Sequence, residues 1–266
     1  MQHAFDATIA AEAVGRYDFA ARTSPAYANM VSPFGGVTAA TVVAAVQSHP
    51  EALGSPLALT INYLAPLEQG DWTLALRPLR TNRTNQHWSF TAHQGETAVL
   101  SGTAVLGLAR QTWGENEAKP PAADAPEAYP VFEFPEFATW AKNYESRFIV
   151  GALAAEPADD STSTLWIRDN PPRPLDHPAL TALADTFFPR VFLRQGSYMP
   201  AGTVSLTVYY HATKDELAAH GEAHVLATAR AARFGHGHFD QYGQLFGQDG
   251  TLLATTHQLV YFKDPK

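Results

Sequence analysis

Residues 34–49 read FGGVTAATVVAAVQSH. Small residues and valines follow one another here with almost no charge, over a length too great for a single strand. This pattern predicts a helix that is buried nearly all round. Gly35 and Gly36 stand at its start, where the lack of a side chain permits a close approach of the backbone.

Three strand-like segments come after this helix. They are LALTINYLAP from Leu57, DWTLALRPLR from Asp71, and residues 87–109, which form a hairpin with QGE as its turn. Alternating apolar residues bounded by turn signals are typical of antiparallel strands. The helix and the meander together predict one compact unit, which we place at residues 1–112.

The composition changes in the middle of the chain. Residues 113–135 contain five prolines and many acidic residues. Because proline cannot donate to a β-ladder or stand in a helix interior, we expect an exposed linker over residues 113–137. A second domain is predicted at residues 138–266. Its elements are a strand that ends near Gly151, a strand at residues 165–168, a helix over residues 176–193 with Asp176 as N-cap and Pro178 in its first turn, and strand regions at residues 202–211, 222–234 and 239–262.

The two halves of the chain repeat each other. LTINY at residues 59–63 matches LTVYY at residues 206–210, and each is followed by a strand and by a hairpin tipped with QGE or QDG. A spacing of about 147 residues thus separates two strand–helix–meander units. We expect the halves to join edge to edge in one antiparallel sheet, because each has strand edges to cover.

Composition and charge exclude several classes of function. The chain has 266 residues, a net charge of −8 and no cysteine. A negative chain is a poor general surface for nucleic acids or anionic membranes. Without cysteine there is no disulfide, no thiolate nucleophile and no sulfur ligand for a metal. No apolar stretch reaches the roughly 18 residues of a membrane helix, so we expect a soluble, cytoplasmic protein.

Four motifs, in order and at compatible spacing, resemble the family of acyl-CoA thioesterases, in particular bacterial acyl-CoA thioesterase II. The first motif begins the first helix, and the second covers a strand with tryptophan and arginine and the helix after it. The third forms the next strand, and the fourth is a terminal hairpin that carries a glutamine. They read PFGGVTAA (33–40), WIRDNPPRPLDHPALTALADTFFPR (166–190), GTVSLTVYYH (202–211) and QDGTLLATTHQLVYF (248–262). The resemblance implies an α+β double hot-dog fold, with two tandem units that each wrap an antiparallel sheet around a long central helix.

Three polar residues are candidates for catalysis. Asp185 lies in the apolar segment ALTALADTFFPRVFL, where partial desolvation raises the pKa of a carboxyl and suits it to act as a base toward water. Thr203 opens a strand, and its hydroxyl can both donate and accept. Strand alternation places Gln258 on one face with Thr256 and Val260. Each residue also has a purely structural interpretation: Asp185 as a polar helix position, Thr203 as an ordinary strand residue and Gln258 as an outward-facing side chain. The resemblance assigns all three residues to catalysis.

Two further groups of residues are candidates for a site. The amides of Gly35 and Gly36, at a helix start, could stabilise an oxyanion, or the glycines could serve close packing alone. The histidines of GHGHF at residues 235–239 have no evident third ligand, so we expect no metal, and no motif calls for a cofactor. The position in the first half that corresponds to Gln258 is about Ala104, which predicts one active site per chain.

The expected function is hydrolysis of acyl-CoA thioesters to free acid and CoA in lipid metabolism, by water that a general base activates. The expected partner is acyl-CoA, with no nucleic acid and no membrane, and a homo-oligomer is possible. Two alternatives stay open. A hot-dog enoyl-CoA hydratase needs an aspartate followed about five residues later by a histidine, whereas His177 is eight residues after Asp169. A non-catalytic acyl-CoA binding protein would keep the cavity and lose the three polar residues.

Overall fold

The computed structural model describes residues 2–136 and 138–263. Residue 137 in the predicted linker, and residues 1 and 264–266 at the ends of the predicted domains, lie outside the described residues. The first half contains α1 (Ala4–Thr8), β1 (Ala11–Ala13), β2 (Asp18–Arg22), α2 (Gly35–Ser48), β3 (Ser55–Tyr63), β4 (Asp71–Thr81), β5 (Asn85–Gln94) and β6 (Thr97–Gly107). The second half contains β7 (Tyr144–Val150), β8 (Ser163–Asp169), α3 (His177–Leu183), α4 (Arg190–Gln195), β9 (Ala201–Tyr210), α5 (Lys214–His220), β10 (Val225–Arg230), β11 (Phe234–Gly235), β12 (His238–Phe246) and β13 (Leu252–Phe262).

Helix α2 confirms the prediction made from residues 34–49. Ten of its 14 residues are buried, so it is covered on nearly every side. The hydroxyls of Thr38 and Thr41 donate to backbone carbonyls four residues earlier, at 3.3 and 3.0 Å, which satisfies the polar atoms of an otherwise apolar helix. The helix ends at Ser48 because His49 precedes Pro50 and takes an extended conformation.

One antiparallel sheet runs through both halves of the chain. Its strand order is β1-β2-β4-β5-β6-β3-β9-β13-β12-β10-β8-β7, with β11 paired to β12. The halves meet where β3 pairs with β9, and there Thr60 lies opposite Thr207 with their hydroxyl oxygens 3.1 Å apart. These two threonines occupy the same place in the LTINY and LTVYY repeats, so an approximate twofold axis passes between them. The prediction of edge-to-edge joining is confirmed.

The predicted helix over residues 176–193 is wrong as one continuous helix. Asp176 does cap its start, since its side chain accepts from the amide of Ala179 at 2.9 Å. However, α3 ends after seven residues, at Leu183, and α4 begins only at Arg190. The amides of Asp185 and Thr186 bond to carbonyls three residues earlier, which tightens the last turn. Pro189 then prevents the helix from continuing. The second half therefore lacks the long central helix that was expected.

The segment between the halves is irregular, as its prolines predict. Within residues 113–136, the one regular element that the structure describes is a short 3-10 helix at Pro126–Ala128. Most of the segment is exposed, and it lies against the outer face of the second half, where Trp166 Nε1 donates to the carbonyl of Asp124 at 2.9 Å. Across the described ranges no helix is long and apolar enough to cross a lipid bilayer.

The junction of β3 and β9 predicts a measurable effect on stability. Leu206 lies fully buried at this junction, opposite Ile61 and Gln258. We expect Leu206→Ala to lower the free energy of unfolding by about 2–5 kcal/mol, because it removes buried methyl groups and leaves a cavity. Tyr209→Thr on the exposed face of the same strand is the matched control, with a change of about 0.5 kcal/mol or less. Urea unfolding measures the stability of both variants. Equal shifts of their two midpoints would show that Leu206 does not contribute more to stability than the exposed Tyr209.

Candidate active site

Asp185 lies in the interval between α3 and α4, two residues after the end of α3. Helix α3 packs against α2, and the glycines at the start of α2 permit the approach. A Cβ atom on Gly36 would lie 2.8 Å from the carbonyl oxygen of Ala182, and one on Gly35 would lie 2.9 Å from Asp185 Oδ2. The carboxylate is thus held against the N-terminus of α2, where unpaired amides and the helix dipole favour negative charge.

The three predicted residues come together in one hydrogen-bonded row. Thr203 Oγ1 donates to Gln258 Oε1 at 3.1 Å, and Gln258 Nε2 donates to Asp185 Oδ1 at 2.9 Å. Strand alternation correctly placed Gln258 with Thr256 and Val260 on the buried face. The row leaves one N–H of Gln258 for another partner, and the Asp185 carboxylate can accept further hydrogen bonds beyond those from Gln258 and the Gly36 amide.

Burial dominates the electrostatics of Asp185. Desolvation raises the pKa of its carboxyl to about 7, although the hydrogen bonds from Gln258 and from the Gly36 amide lower it. A pKa near neutrality leaves a substantial fraction ionised and able to accept a proton at pH 7. This is the physical property that a general base requires.

The two glycines at the start of α2 have different surroundings. The Gly36 amide donates toward Asp185, so it already serves to hold the carboxylate. Gly35 borders the cavity, and its carbonyl accepts from the Tyr63 hydroxyl at 2.9 Å. As the first residue of α2, Gly35 has an amide without an intrahelical acceptor. Of the pair, Gly35 is the one placed to meet a ligand.

A cavity of about 400 Å³ opens beside this row. Asp185, Thr203 and Gln258 line it together with a largely aromatic and aliphatic wall. The wall is deep and buried at Phe187, Phe188, Phe192, Trp140 and Val260, and its rim is exposed at Met30, Val31, Leu64, Tyr198 and Tyr261. This volume and lining suit a small or medium-sized apolar ligand with one polar end.

Two polar residues near the cavity were missed in the sequence. Gln241 lines the cavity on β12, and Arg190 at the start of α4 lies fully buried behind it. Alternation along FDQYGQLF places Gln241 on the buried face, so that signal was available. Arg190 gave no such signal, because its side-chain partners, Gln241 Oε1 at 3.2 Å and Ser163 Oγ at 2.7 Å, are distant in sequence.

The residues of the alternative sites lie elsewhere. Neither Asp169 nor His177, the pair that a hydratase would need, lines the cavity. His236 lies in the turn between β11 and β12, and His238 begins β12, with its Nδ1 3.0 Å from the carbonyl of His236. Throughout residues 2–136 and 138–263, no three histidine, aspartate or glutamate side chains are grouped as a metal site would need.

The raised pKa of Asp185 predicts how stability depends on pH. A carboxyl whose pKa is higher in the folded than in the unfolded state stabilises the fold below about pH 4, and this contribution is lost as pH rises through about 7. Asp185→Asn does not show this loss, because an asparagine side chain does not ionise. We expect the variant to gain stability over the wild type between about pH 5 and pH 8, by a few kcal/mol at about 1.4 kcal/mol per pKa unit.

Urea unfolding at several pH values measures this gain. Glu12→Gln, which removes an exposed carboxylate on β1, controls for the loss of one negative charge. A stability difference between Asp185→Asn and the wild type that is constant across this pH range would show that Asp185 is not held in a desolvated site.

Comparison with known proteins places these features in a family. Residues 24–107 match the model of an acyl-CoA thioesterase N-terminal domain, and residues 117–262 match that of an acyl-CoA thioesterase C-terminal domain. A solved protein of unknown function with a hot-dog fold, from Alicyclobacillus acidocaldarius, is 44% identical, with 100% of both chains covered and a TM-score of 0.96.

More distant solved structures share the fold. The acyl-CoA thioesterase II TesB2 of Mycobacterium marinum is 17% identical over 99% of both chains, with a TM-score of 0.78. The tesB protein of Mycobacterium avium subspecies paratuberculosis is 19% identical over 98% of both chains, with a TM-score of 0.79. No curated protein sequence gives a significant match. The chain has an α+β hot-dog fold and belongs to the family of acyl-CoA thioesterases, the hydrolases that split acyl-CoA into free acid and CoA.

Proposed function

We propose that this chain hydrolyses acyl-CoA with a water molecule that Asp185 activates and that Thr203 and Gln258 orient. The observation that carries the proposal is the hydrogen-bonded row of these three residues along the wall of the cavity. A carboxylate whose pKa is near 7 can accept a proton, and the amide and the hydroxyl fix the direction of attack. The apolar wall at Phe187 and Phe188 suits the acyl chain.

The reaction follows from these roles in two steps. In the first, the water oxygen bonds to the thioester carbonyl carbon, Asp185 takes the released proton, and the carbonyl oxygen becomes an oxyanion. The amide of Gly35, at the positive end of the α2 dipole, is the donor that we assign to that oxyanion. In the second step the carbonyl re-forms, the carbon–sulfur bond breaks, and the CoA thiolate takes the proton from Asp185.

The arrangement of the chain supports a double hot-dog description. We assign residues 1–112 to one unit, residues 113–137 to a linker and residues 138–266 to the other unit, with the halves joined at β3 and β9. The register supports a single active site, because Gln258 lies opposite Leu206, while the matching Leu59 of the first half lies opposite Ala104. The edge strands β1 and β7 could pair in a homo-oligomer. Acyl-CoA as the substrate suits a role in cytoplasmic lipid metabolism.

A panel of acyl-CoA and enoyl-CoA substrates with a thiol reagent tests the proposal against its alternatives. Release of free CoA supports hydrolysis. Loss of enoyl absorbance without CoA release would indicate a hydratase, and binding without turnover would indicate a carrier. The position of Asp169 and His177 away from the cavity favours hydrolysis over hydration.

The role of Asp185 predicts a large loss of rate on substitution. Asp185→Asn preserves the shape and removes the base, so kcat should fall by about 10²- to 10⁴-fold while KM changes little. Gln258→Ala should lose less, since only orientation is affected. His257→Ala, on the exposed face of the same strand, is the control and should retain the wild-type rate. Wild-type turnover by Asp185→Asn would overturn the mechanism.

The same base predicts the pH dependence of activity. The ionised form of Asp185 is the active one, so kcat/KM should fall as pH falls through about 7 and level off above it. Gln258→Ala removes a hydrogen bond that lowers this pKa, so the limb of the profile should move to higher pH. Steady-state rates from about pH 5 to pH 9 measure both effects. If the fall of kcat/KM occurs at the same pH in Gln258→Ala as in the wild type, Asp185 is excluded as the titrating base.

A further inference from the structure

Gln241 is the immediate neighbour of the proposed catalytic row. It lies on β12 directly opposite Gln258 of β13, and both side chains are on the buried face of the sheet. Side chains directly opposite on one face have Cβ atoms about 5 Å apart. Gln241 is 1% exposed and borders the cavity, so it stands in the buried interior and not at the rim.

Arg190 fixes the orientation of the Gln241 amide. Its Nε donates to Gln241 Oε1 at 3.2 Å. A guanidinium has donors and no acceptor, so the oxygen of the amide must face Arg190, and exchanging oxygen and nitrogen would set two donors against each other. The NH₂ group of Gln241 is therefore turned away from Arg190.

This NH₂ group has no acceptor among the residues that the structure describes. Over residues 2–136 and 138–263, the one hydrogen bond of the Gln241 side chain is that from Arg190. The cavity wall beside it is apolar at Phe187, Phe188 and Val260. The oxygen of Gln258, directly opposite, already accepts from Thr203. A buried donor that loses its water and gains no acceptor is strongly unfavourable. The ligand itself must then supply the acceptor when it fills the cavity.

The charge behind Gln241 strengthens it as a donor. Arg190 has no carboxylate partner within the part of the chain that the structure describes, and it stacks on Phe188 with its guanidinium carbon 4.2 Å from the ring centroid. Its hydrogen bond to the amide oxygen polarises the amide and makes the N–H groups better donors. An uncompensated cation at this depth favours a ligand oxygen with negative partial or full charge.

We propose that Gln241 donates a hydrogen bond to an oxygen atom carried on the acyl chain, and so selects hydroxy-, oxo- or carboxy-acyl thioesters over unsubstituted ones. The inference rests on the proposed thioesterase function, since it assigns a specificity-determining residue to the same cavity. An unsubstituted chain would displace the water from Gln241 and leave its donors unpaired. A site built to hydrogen-bond a substrate group discriminates against the analogue that lacks it.

The test compares hydrolysis of octanoyl-CoA with that of 3-hydroxyoctanoyl-, 3-oxooctanoyl- and suberoyl-CoA by the full chain. For the wild type we expect kcat/KM to be about tenfold or more higher for at least one oxygenated substrate. Gln241→Met, which removes the donors and keeps the length, should abolish this preference while octanoyl-CoA is still hydrolysed. Gln241→Glu keeps an acceptor for Arg190 and removes the donors, so it should abolish the preference as well.

Gln244→Met is the matched control, because Gln244 lies on the same strand and outside the cavity lining. It should keep both the rates and the preference. A wild type that hydrolyses octanoyl-CoA as well as every oxygenated substrate would overturn this inference and leave the proposed function intact. An equal fall for all substrates in Gln241→Met would also overturn it. No turnover of any acyl-CoA by the wild type would overturn both proposals.

Discussion

The candidate site depends on one hydrogen bond, 2.9 Å long, from Gln258 Nε2 to Asp185 Oδ1. It connects strand β13 of the sheet to the segment between helices α3 and α4. Asp185 can occupy this position only because Gly35 and Gly36 let the start of α2 approach the end of α3. The amides there and Gln258 stabilise the carboxylate, while burial opposes its charge. The balance of these effects sets a pKa near 7.

The two halves of the chain differ in the residues that face the polar row or its counterpart. The sheet is continuous through Thr60 and Thr207, and the repeats on its two sides follow the same register. In the first half α2 is long, buried and free of carboxylates, and Ala104 stands where Gln258 stands in the second half. In the second half the helix is broken between Leu183 and Arg190, and Asp185 occupies the interval. The second half thus has a shorter helix than the first, and the residues of the break line the cavity.

The same energetics relate stability to activity. A carboxylate that must ionise in a buried site destabilises the folded state above its pKa, and the ionised form is the one that can accept a proton from water. Arg190 is a second buried charge near this cavity, with no carboxylate partner among the described residues, and burial lowers its pKa to about 9. Charges kept in desolvated positions without an ion-pair partner are typical of functional sites, because folding alone would favour apolar residues there.

Local patterns in the sequence were sufficient to predict the buried helix at residues 34–49 and the buried face of Gln258, because both follow from the composition or periodicity of a short segment. The repeat of LTINY and LTVYY was visible from the match of residue types. The cap at Asp176 and the irregular linker also followed from local chemistry. The break between α3 and α4, the contact of Gly36 with Asp185 and the pairing of Arg190 with Gln241 became visible only in the folded chain. Arg190 and Gln241 are 51 residues apart, and Gln258 and Asp185 are 73 residues apart. Such contacts depend on how the strands and helices pack, and no pattern within a short window of sequence reports which polar side chains the packing will bring together.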